Sequence, residues 1–415
     1  MTITETSGRY NLLIFGILLP GFITGQIINL EERLKQAGYP VETHTVVTKD
    51  DYILSLYRVS DSPNLLPSVE HQIGNKSVVL LVHGMGGTPE LFFILGRDSL
   101  GYYMADRGFD VWILCTRGIS CSSKRLHKHY DWDRDKKYWD FSFHDIATRD
   151  LPSHIDYVLN RTSQSSLFLI GHSAGNTVIF AMAAELPEYN RKVKVAAAYA
   201  MSVILRGYDY PLMIFTASAV KVLKGLYRIL GIVEFIPYVQ YLRPFLSIAC
   251  AHPEYRKICI GAVSIVGSQK SMLMDFQATL PLVISHSGLR LASKQIFHYL
   301  ELIEAGAFKK YDYGPKKNSK IYGQTDPPHY NLSRVTMAVA SFRAVSDSIC
   351  TKKDIQDAMD RMPNVIFDYV VPYERFTHTD FIFTSNASRL VYEPTYRLFK
   401  FFDEGKVPPR RKKRN

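Results

Sequence analysis

The apolar positions in the first half of the chain fall in short continuous runs rather than in strict alternation. Ser77 to His83 (SVVLLVH), Ser166 to Ile170 (SLFLI) and Val195 to Ser202 (VAAAYAMS) are apolar almost throughout, the pattern of strands covered on both faces. Tyr52 to Arg58 and Asp110 to Cys115 read as further strands. Between these runs, Ser99 to Asp106, Phe143 to Leu159 and Asn176 to Glu185 read as helices. Such alternation predicts a largely parallel sheet with helices on both faces. The order breaks from about Leu205 to Leu332, where aromatic residues, leucine and isoleucine are punctuated by prolines without a strand period. We read that stretch as a mostly helical insertion. Sheet pattern resumes at Val335 to Val345 and Asn364 to Val371, and a last helix covers about Ser388 to Phe402. The expected class is therefore α/β, one mostly parallel central sheet interrupted by a helical cap.

The ends of the chain follow different rules. No residue from Tyr10 to Leu30 is charged, Arg9 precedes the apolar core, and Gly25 offers a small residue for cleavage. Residues 1–25 are expected to be a secretory signal. An uncleaved anchor is the alternative, since about twenty uncharged residues can span a bilayer, although Pro20, Gly21 and Gly25 weaken such a helix. By either route the remainder enters the secretory lumen, and the destination is extracellular or lysosomal. Four Asn-x-Ser/Thr sequons, at Asn75, Asn160, Asn331 and Asn386, agree with glycosylation there. The predicted organisation is 26–204 and 333–403 as two parts of one core, 205–332 as the cap and 404–415 as a basic tail. The tail reads as solvated chain, as a site for basic-residue proteases or, through Lys412 and Lys413, as a dilysine retrieval signal.

Composition then narrows the partners. The 415 residues are 47% hydrophobic and 21% charged, enough to bury a large core. Net charge is +11, but Arg410, Arg411, Lys412, Lys413 and Arg414 supply five of those charges and leave +6 for the body. A mildly basic body gives no nucleic-acid footprint. Among the five cysteines (Cys115, Cys121, Cys250, Cys259, Cys350), Cys250 and Cys259 can close a short loop in an oxidising lumen. The odd count leaves at least one thiol or an intermolecular bridge. No CxxC pair supports a zinc ribbon, and His127-Lys128-His129 with Asp131 and Asp133 reads as a polar loop rather than a metal site.

One constellation carries chemistry. Gly171-His172-Ser173-Ala174-Gly175 lies between an apolar strand and an apolar helix, the setting that places a serine nucleophile on a sharp strand-to-helix turn. Charge that develops on an attacked carbonyl oxygen needs donors. We assign the backbone N–H of Ala174 and that of Met85, which follows the strand ending in His83-Gly84. A base and an acid must follow in the order serine, acid, histidine. Of the five later histidines, His252, His286 and His298 fall in the expected cap and His329 precedes the resumed strands. Only His378 follows the last strand. Asp347 closes the preceding strand run and is the leading acid, whereas Asp354, Asp357 and Asp360 decorate the next helix. No metal or organic cofactor is required.

With those residues in place, the chain resembles the acid lipase family of α/β-hydrolases, which includes gastric lipase and lysosomal acid lipase. The resemblance runs from about Leu30 to Phe402 through AGYPVETHTVVTKDDYILSLYR, HGM, RGFDVWILCTRG, YWDFSFHDIATRDLPSHIDYVLN, GHSAG, DPPHYNLS, DSICTKKDI and HTDF. It implies an α/β-hydrolase fold with a cap after the sixth main strand, Ser173, Asp347 and His378 as a triad, Met85 and Ala174 as oxyanion donors, and a Cys250–Cys259 pair. It further implies hydrolysis of neutral-lipid esters, triacylglycerols or sterol esters, at a lipid droplet or membrane surface. Departures from the family pattern are Ala174 in place of glutamine, Met85-Gly86-Gly87 after His-Gly, Phe342 to Ser346 before the acid, and Phe376-Thr377 before His378. Two other readings remain open: a lipase-like lipid-binding protein with weak catalysis, and an esterase for small soluble esters.

Overall fold

The structure is a computed structural model. It describes residues 29–65, 76–119, 121, 126–208, 210–235, 249–250, 252, 254–255, 259, 273, 279, 282–284 and 290–406. The expected signal 1–25, Asn75, His286 and tail residues 407–415 lie outside the described residues.

Among the described residues, eight strands form one sheet: β1 (Val41–Val47), β2 (Ile53–Val59), β3 (Val78–Val82), β4 (Asp110–Leu114), β5 (Leu167–His172), β6 (Val193–Tyr199), β7 (Ala338–Arg343) and β8 (Val365–Val370). Their order is β1-β2-β4-β3-β5-β6-β7-β8. The β1–β2 and β2–β4 pairs are antiparallel and all others parallel. In β3 the side chains of Val78, Leu80 and Val82 enter one core and those of Val79 and Leu81 the other. That two-sided burial is why the inner strands read as unbroken apolar runs.

Helices α1 (Leu30–Gln36) and α2 (Leu100–Ala105) precede β1 and β4. The helix expected over Phe143–Leu159 consists of α3 (Phe143–Asp145), a π-turn at Ile146–Asp150, and α4 (Leu151–Thr162). Pro152 has no N–H to return to the preceding turn, which suits the widened helix there. Next comes α5 (Ala174–Glu185), which starts at the end of β5.

Between β6 and β7 the described residues form α6 (Pro211–Ser218), α7 (Val220–Leu230), α8 (Ser293–Ala305) and α9 (Pro315–Tyr322). Among the described residues of this stretch, strand-like pairing is limited to isolated bridges, Glu234–Ala292 and Lys309–His329. The chain closes with α10 (Lys352–Arg361), α11 (Asp380–Phe383) and, after a π-turn at Ser388–Tyr392, α12 (Glu393–Asp403). No helix among the described residues is long and apolar enough to cross a membrane.

Three local expectations change. β1 was not foreseen, because as an edge strand it buries only Val46 and alternates with Glu42, His44 and other partly exposed residues. The run Val335 to Val345 is a strand only over Ala338–Arg343, since Leu332–Arg334 forms a 3-10 turn capped by the Asn331 side chain. The Val195 to Ser202 run ends as a strand at Tyr199, and Ala200, at φ 50°, turns the chain out of the sheet.

Cysteine pairing is richer than the sequence suggested. Cys250 joins Cys259, and Cys115 also joins Cys121. The free thiol is Cys350, which is buried.

Candidate active site

Ser173 stands where β5 meets α5, with φ 54° and ψ −122°. A non-glycine residue held there costs about 1–3 kcal/mol and needs its surroundings to fix it. They do so through the end of β6. The Tyr199 carbonyl accepts from the Ser173 N–H at 3.0 Å and from the Asn176 side-chain amide at 2.7 Å. The flanking glycines are required by close approach. A methyl group on Gly175 would run into the Val82 carbonyl oxygen, and one on Gly171 would lie 2.5 Å from Asn176 Oδ1.

From that turn a chain of hydrogen bonds runs inward. Ser173 Oγ donates to His378 Nε2 at 2.7 Å, and His378 Nδ1 donates to Asp347 Oδ2 at 2.9 Å. The other oxygen of Asp347 accepts the N–H groups of Ile349 (2.8 Å) and Cys350 (2.9 Å), so both carboxylate oxygens are held. His378 and Asp347 are buried. The loop carrying His378 is pinned by Asp380, whose Oδ2 accepts from the Thr377 N–H and hydroxyl at 2.7 and 2.8 Å. Phe376 is buried against Phe381. On the acid side, Phe342 is buried with Phe367 and Tyr369 beside it, and Arg343 pairs with Asp368 at 2.8 Å. The departures before Asp347 are thus tied to β8, and those before His378 to α11.

The three residues therefore meet. The other candidates do not join them: His298 stacks on Phe143, His329 forms a bridge with Lys309, and Asp354, Asp357 and Asp360 lie on α10. Asp354 accepts from the Gly207 N–H at 2.7 Å and so ties the chain after β6 to α10.

Across from Ser173, the Gly87 N–H closes a turn onto the Gly84 carbonyl at 3.0 Å, which leaves Met85 in the turn and half exposed. Ala174 is buried at the first position of α5. Gly84, Met85 and Ala174 border a cavity of about 20 Å³, walled also by Arg290, Gln295 and Tyr299 from the segment between β6 and β7. The Met85 turn is held from behind by His83. Its Nδ1 donates to the Gly84 carbonyl at 2.9 Å, and burial pushes its pKa down to about 4, so the ring is neutral. His172 is likewise neutral: burial, then the adjacent His378, pushes it down to about 3.

A second buried network was not anticipated. Arg117 binds Asp150 (2.6 Å) and Asp50 (2.8 Å) and lies over the Tyr52 ring. Burial raises the Asp150 carboxyl, against the pull of Arg117. At Asp50 burial opposes ionisation too, but the hydrogen bonds and charge of Arg117 prevail and hold it low. Arg117 also borders the cavity. The sequence signal was present in RGFDVWILCTRG, but its partners lie 33 and 67 positions away.

The sequon asparagines Asn160 and Asn331 are exposed and Asn386 is partly exposed. Around His127, the ring Nδ1 accepts the N–H groups of His129 and Tyr130, a local turn.

Comparison with known proteins places the chain in a family. Residues 30–96 match the model of a partial alpha/beta-hydrolase lipase region, and residues 77–211 match that of the alpha/beta hydrolase fold. Lipase 3 of Drosophila melanogaster is 30% identical over 394 residues, covering 94% of this chain and 97% of the relative. The chain belongs to the acid lipase family of α/β-hydrolases. Gastric triacylglycerol lipase of Bos taurus is also 30% identical to this chain, over 89% of the chain and 91% of its own length. For the fold, the solved structure of lip1 from Acinetobacter baumannii matches with a TM-score of 0.52 at 12% identity, covering 91% of this chain and 96% of that one.

Proposed function

We propose that this acid-lipase-family enzyme hydrolyses carboxylic esters of neutral lipids, triacylglycerols or sterol esters, through an acyl-enzyme on Ser173. The observation that carries the reading is the continuous hydrogen-bond chain from Ser173 through His378 to Asp347. Ser173 Oγ attacks the acyl carbonyl as its proton passes to His378 Nε2. Asp347, held by two N–H groups, keeps the His378 proton on Nδ1 and stabilises the imidazolium. The backbone N–H groups of Met85 and Ala174 receive the negative oxygen. His378 then protonates the leaving alcohol, and a water, deprotonated by the same ring, releases the fatty acid.

The proposed setting is the secretory pathway, with the enzyme acting in an extracellular or lysosomal lumen at the surface of its lipid substrate. Residues 205–332 serve as the cap, Cys250–Cys259 braces it, and Asn75, Asn160, Asn331 and Asn386 are the glycan acceptors.

The test combines a serine-directed fluorophosphonate with a hydrolysis panel of triacylglycerol, sterol ester and soluble short ester. Labelling of the wild-type chain, none of Ser173→Ala, and turnover of the long-chain substrates are expected. No labelling of folded wild type would point to a lipid-binding protein, and turnover of the short ester alone to a small-ester esterase.

A further inference from the structure

The first two cap helices carry apolar surface that the fold leaves uncovered. Helix α7 is apolar on two faces. Val220, Leu223 and Tyr227 pack inward, with Val220 buried beside Phe297 and Leu300 of α8. On the outer side Val222, Leu226 and Ile229 follow at helical spacing and are 75%, 48% and 83% exposed. Phe215, on α6, adds a ring that is 71% exposed. An inward stripe explains how a helix joins its own core, but a second stripe facing solvent does not stabilise the monomer.

Charge on the same face has one sign. Residues 211–230 contain no carboxylate and include Lys221, Lys224 and Arg228. Lys224 is engaged by Glu301. Arg228 instead borders an open groove of about 530 Å³ together with Tyr313, Lys316, Lys317 and Lys320. The three lysines belong to α9 and are exposed. None of these four groove cations forms an ion pair among the described residues. Four unpaired cations at the margin of an apolar helix face match a surface that is negative outside and apolar within. That is the chemistry of an anionic phospholipid layer.

We propose that α6, α7 and α9 form the face by which this enzyme docks on anionic lipid surfaces. Phe215, Val222 and Ile229 enter the acyl boundary, and Arg228, Lys316, Lys317 and Lys320 meet the phosphate layer. This deepens the lipid-ester reading above and rests on it. Four residues beyond the end of α7, Glu234 holds Arg290 at 2.7 Å on the wall of the cavity beside Ala174. A docked α7 is therefore one connection away from the candidate oxyanion site.

The experiment is flotation of purified Ser173→Ala chain with phosphatidylcholine vesicles and with the same vesicles containing phosphatidylserine. Binding to the anionic vesicles alone is expected. Phe215→Ser/Ile229→Ser should weaken it at least tenfold, as should Arg228→Gln/Lys317→Gln, at about fivefold per cation. A chain truncated before Arg410 should still bind. Equal binding to both vesicle types, unaltered binding of both double variants, or loss of binding only on truncation overturns the proposal. So does a dimer in sedimentation that Ile229→Ser dissociates without any vesicle binding, since a second copy then covers the face. With Ser173 intact, the surface variants should hydrolyse a soluble short ester at the wild-type rate. Flotation without hydrolysis by the wild-type chain would sink the lipid-ester reading and leave docking standing, and hydrolysis without flotation would do the reverse.

Discussion

His172 Nε2 lies 3.0 Å from the backbone carbonyl oxygen of His378. The residue before the candidate nucleophile thus grips the main chain of the candidate base. Because the His172 ring is neutral, its Nε2 carries the proton and donates it to that carbonyl. His172→Leu leaves a buried carbonyl unpaired, at a cost of about 1–3 kcal/mol, and frees the His378 loop. We expect kcat to fall about tenfold with KM little changed. His172→Gln, which restores an N–H donor, should recover most of the rate. Equal loss in both variants would assign His172 a packing role alone.

Asp347→Asn tests the proton placement. The asparagine oxygen still accepts from Ile349 and Cys350, so its amide nitrogen must face His378 Nδ1 and donate to it. That moves the ring proton to Nε2, opposite Ser173 Oγ, where a base is needed. A drop of about 10⁴ in kcat at unchanged folding stability is expected, as in serine hydrolases of the same logic. Residual activity above a tenth of wild type would remove Asp347 from the proposed triad.

Much of this was legible in local pattern. Strands buried on both faces announce themselves as apolar runs, and GHSAG declares its turn because Gly171 and Gly175 have no room for a side chain. His378 and Asp347 could be selected because chain order and strand ends restrict the choice. What stayed hidden has no local period. β1 alternates like a polar loop because it is an edge, Cys115 and Cys121 meet only through the turn after β4, and Arg117 finds Asp50 and Asp150 across the fold. Such pairings are set by the packed structure, not by neighbours in the chain.

The Arg117 network gives a stability prediction. Arg117 and Asp150 are buried, and Arg117→Met strands the Asp150 carboxylate in the core. A loss of about 3–5 kcal/mol in urea unfolding is expected. Adding Asp150→Leu removes the stranded charge and should return a good part of it. If the double variant were as unstable as the single one, the cost would lie in packing over Tyr52 instead.

Four buried histidines predict how stability depends on pH. Burial holds His83 and His154 down to about 4, His172 to about 3 and His298 well below its usual value. Each stays neutral in the fold but takes a proton in the unfolded chain below pH 6.5, so the unfolded state binds more protons. The stability that these four groups contribute is therefore fully present above pH 6.5 and is lost progressively as pH falls from there toward 4. Unfolding free energies of Ser173→Ala from urea titrations should be lower at pH 5.5 than at pH 7.5, by about 4 kcal/mol for His83, His154 and His172 together, with His298 acting in the same direction. A flat profile would mean that these rings gain protons inside the fold.

Two glycine substitutions should move in opposite directions. At Gly175 an added methyl meets the Val82 carbonyl and lies 3.0 Å from that of His83. The Val82 carbonyl cannot retreat, because Val82 is paired with Gly171 of β5 at the end of β3. Gly175→Ala should lose about 3 kcal/mol or more and push Ser173 away from His378. At Gly225, inside α7, a methyl meets nothing within 4 Å. There the alanine limits only the unfolded chain, and Gly225→Ala should raise stability by about 0.5–1 kcal/mol. Thermal unfolding of both variants, read with soluble-ester turnover, separates the effects: the first should lose activity and midpoint together, and the second should gain midpoint at constant rate. A destabilising Gly225→Ala would show that α7 does not keep its helical form in the free enzyme.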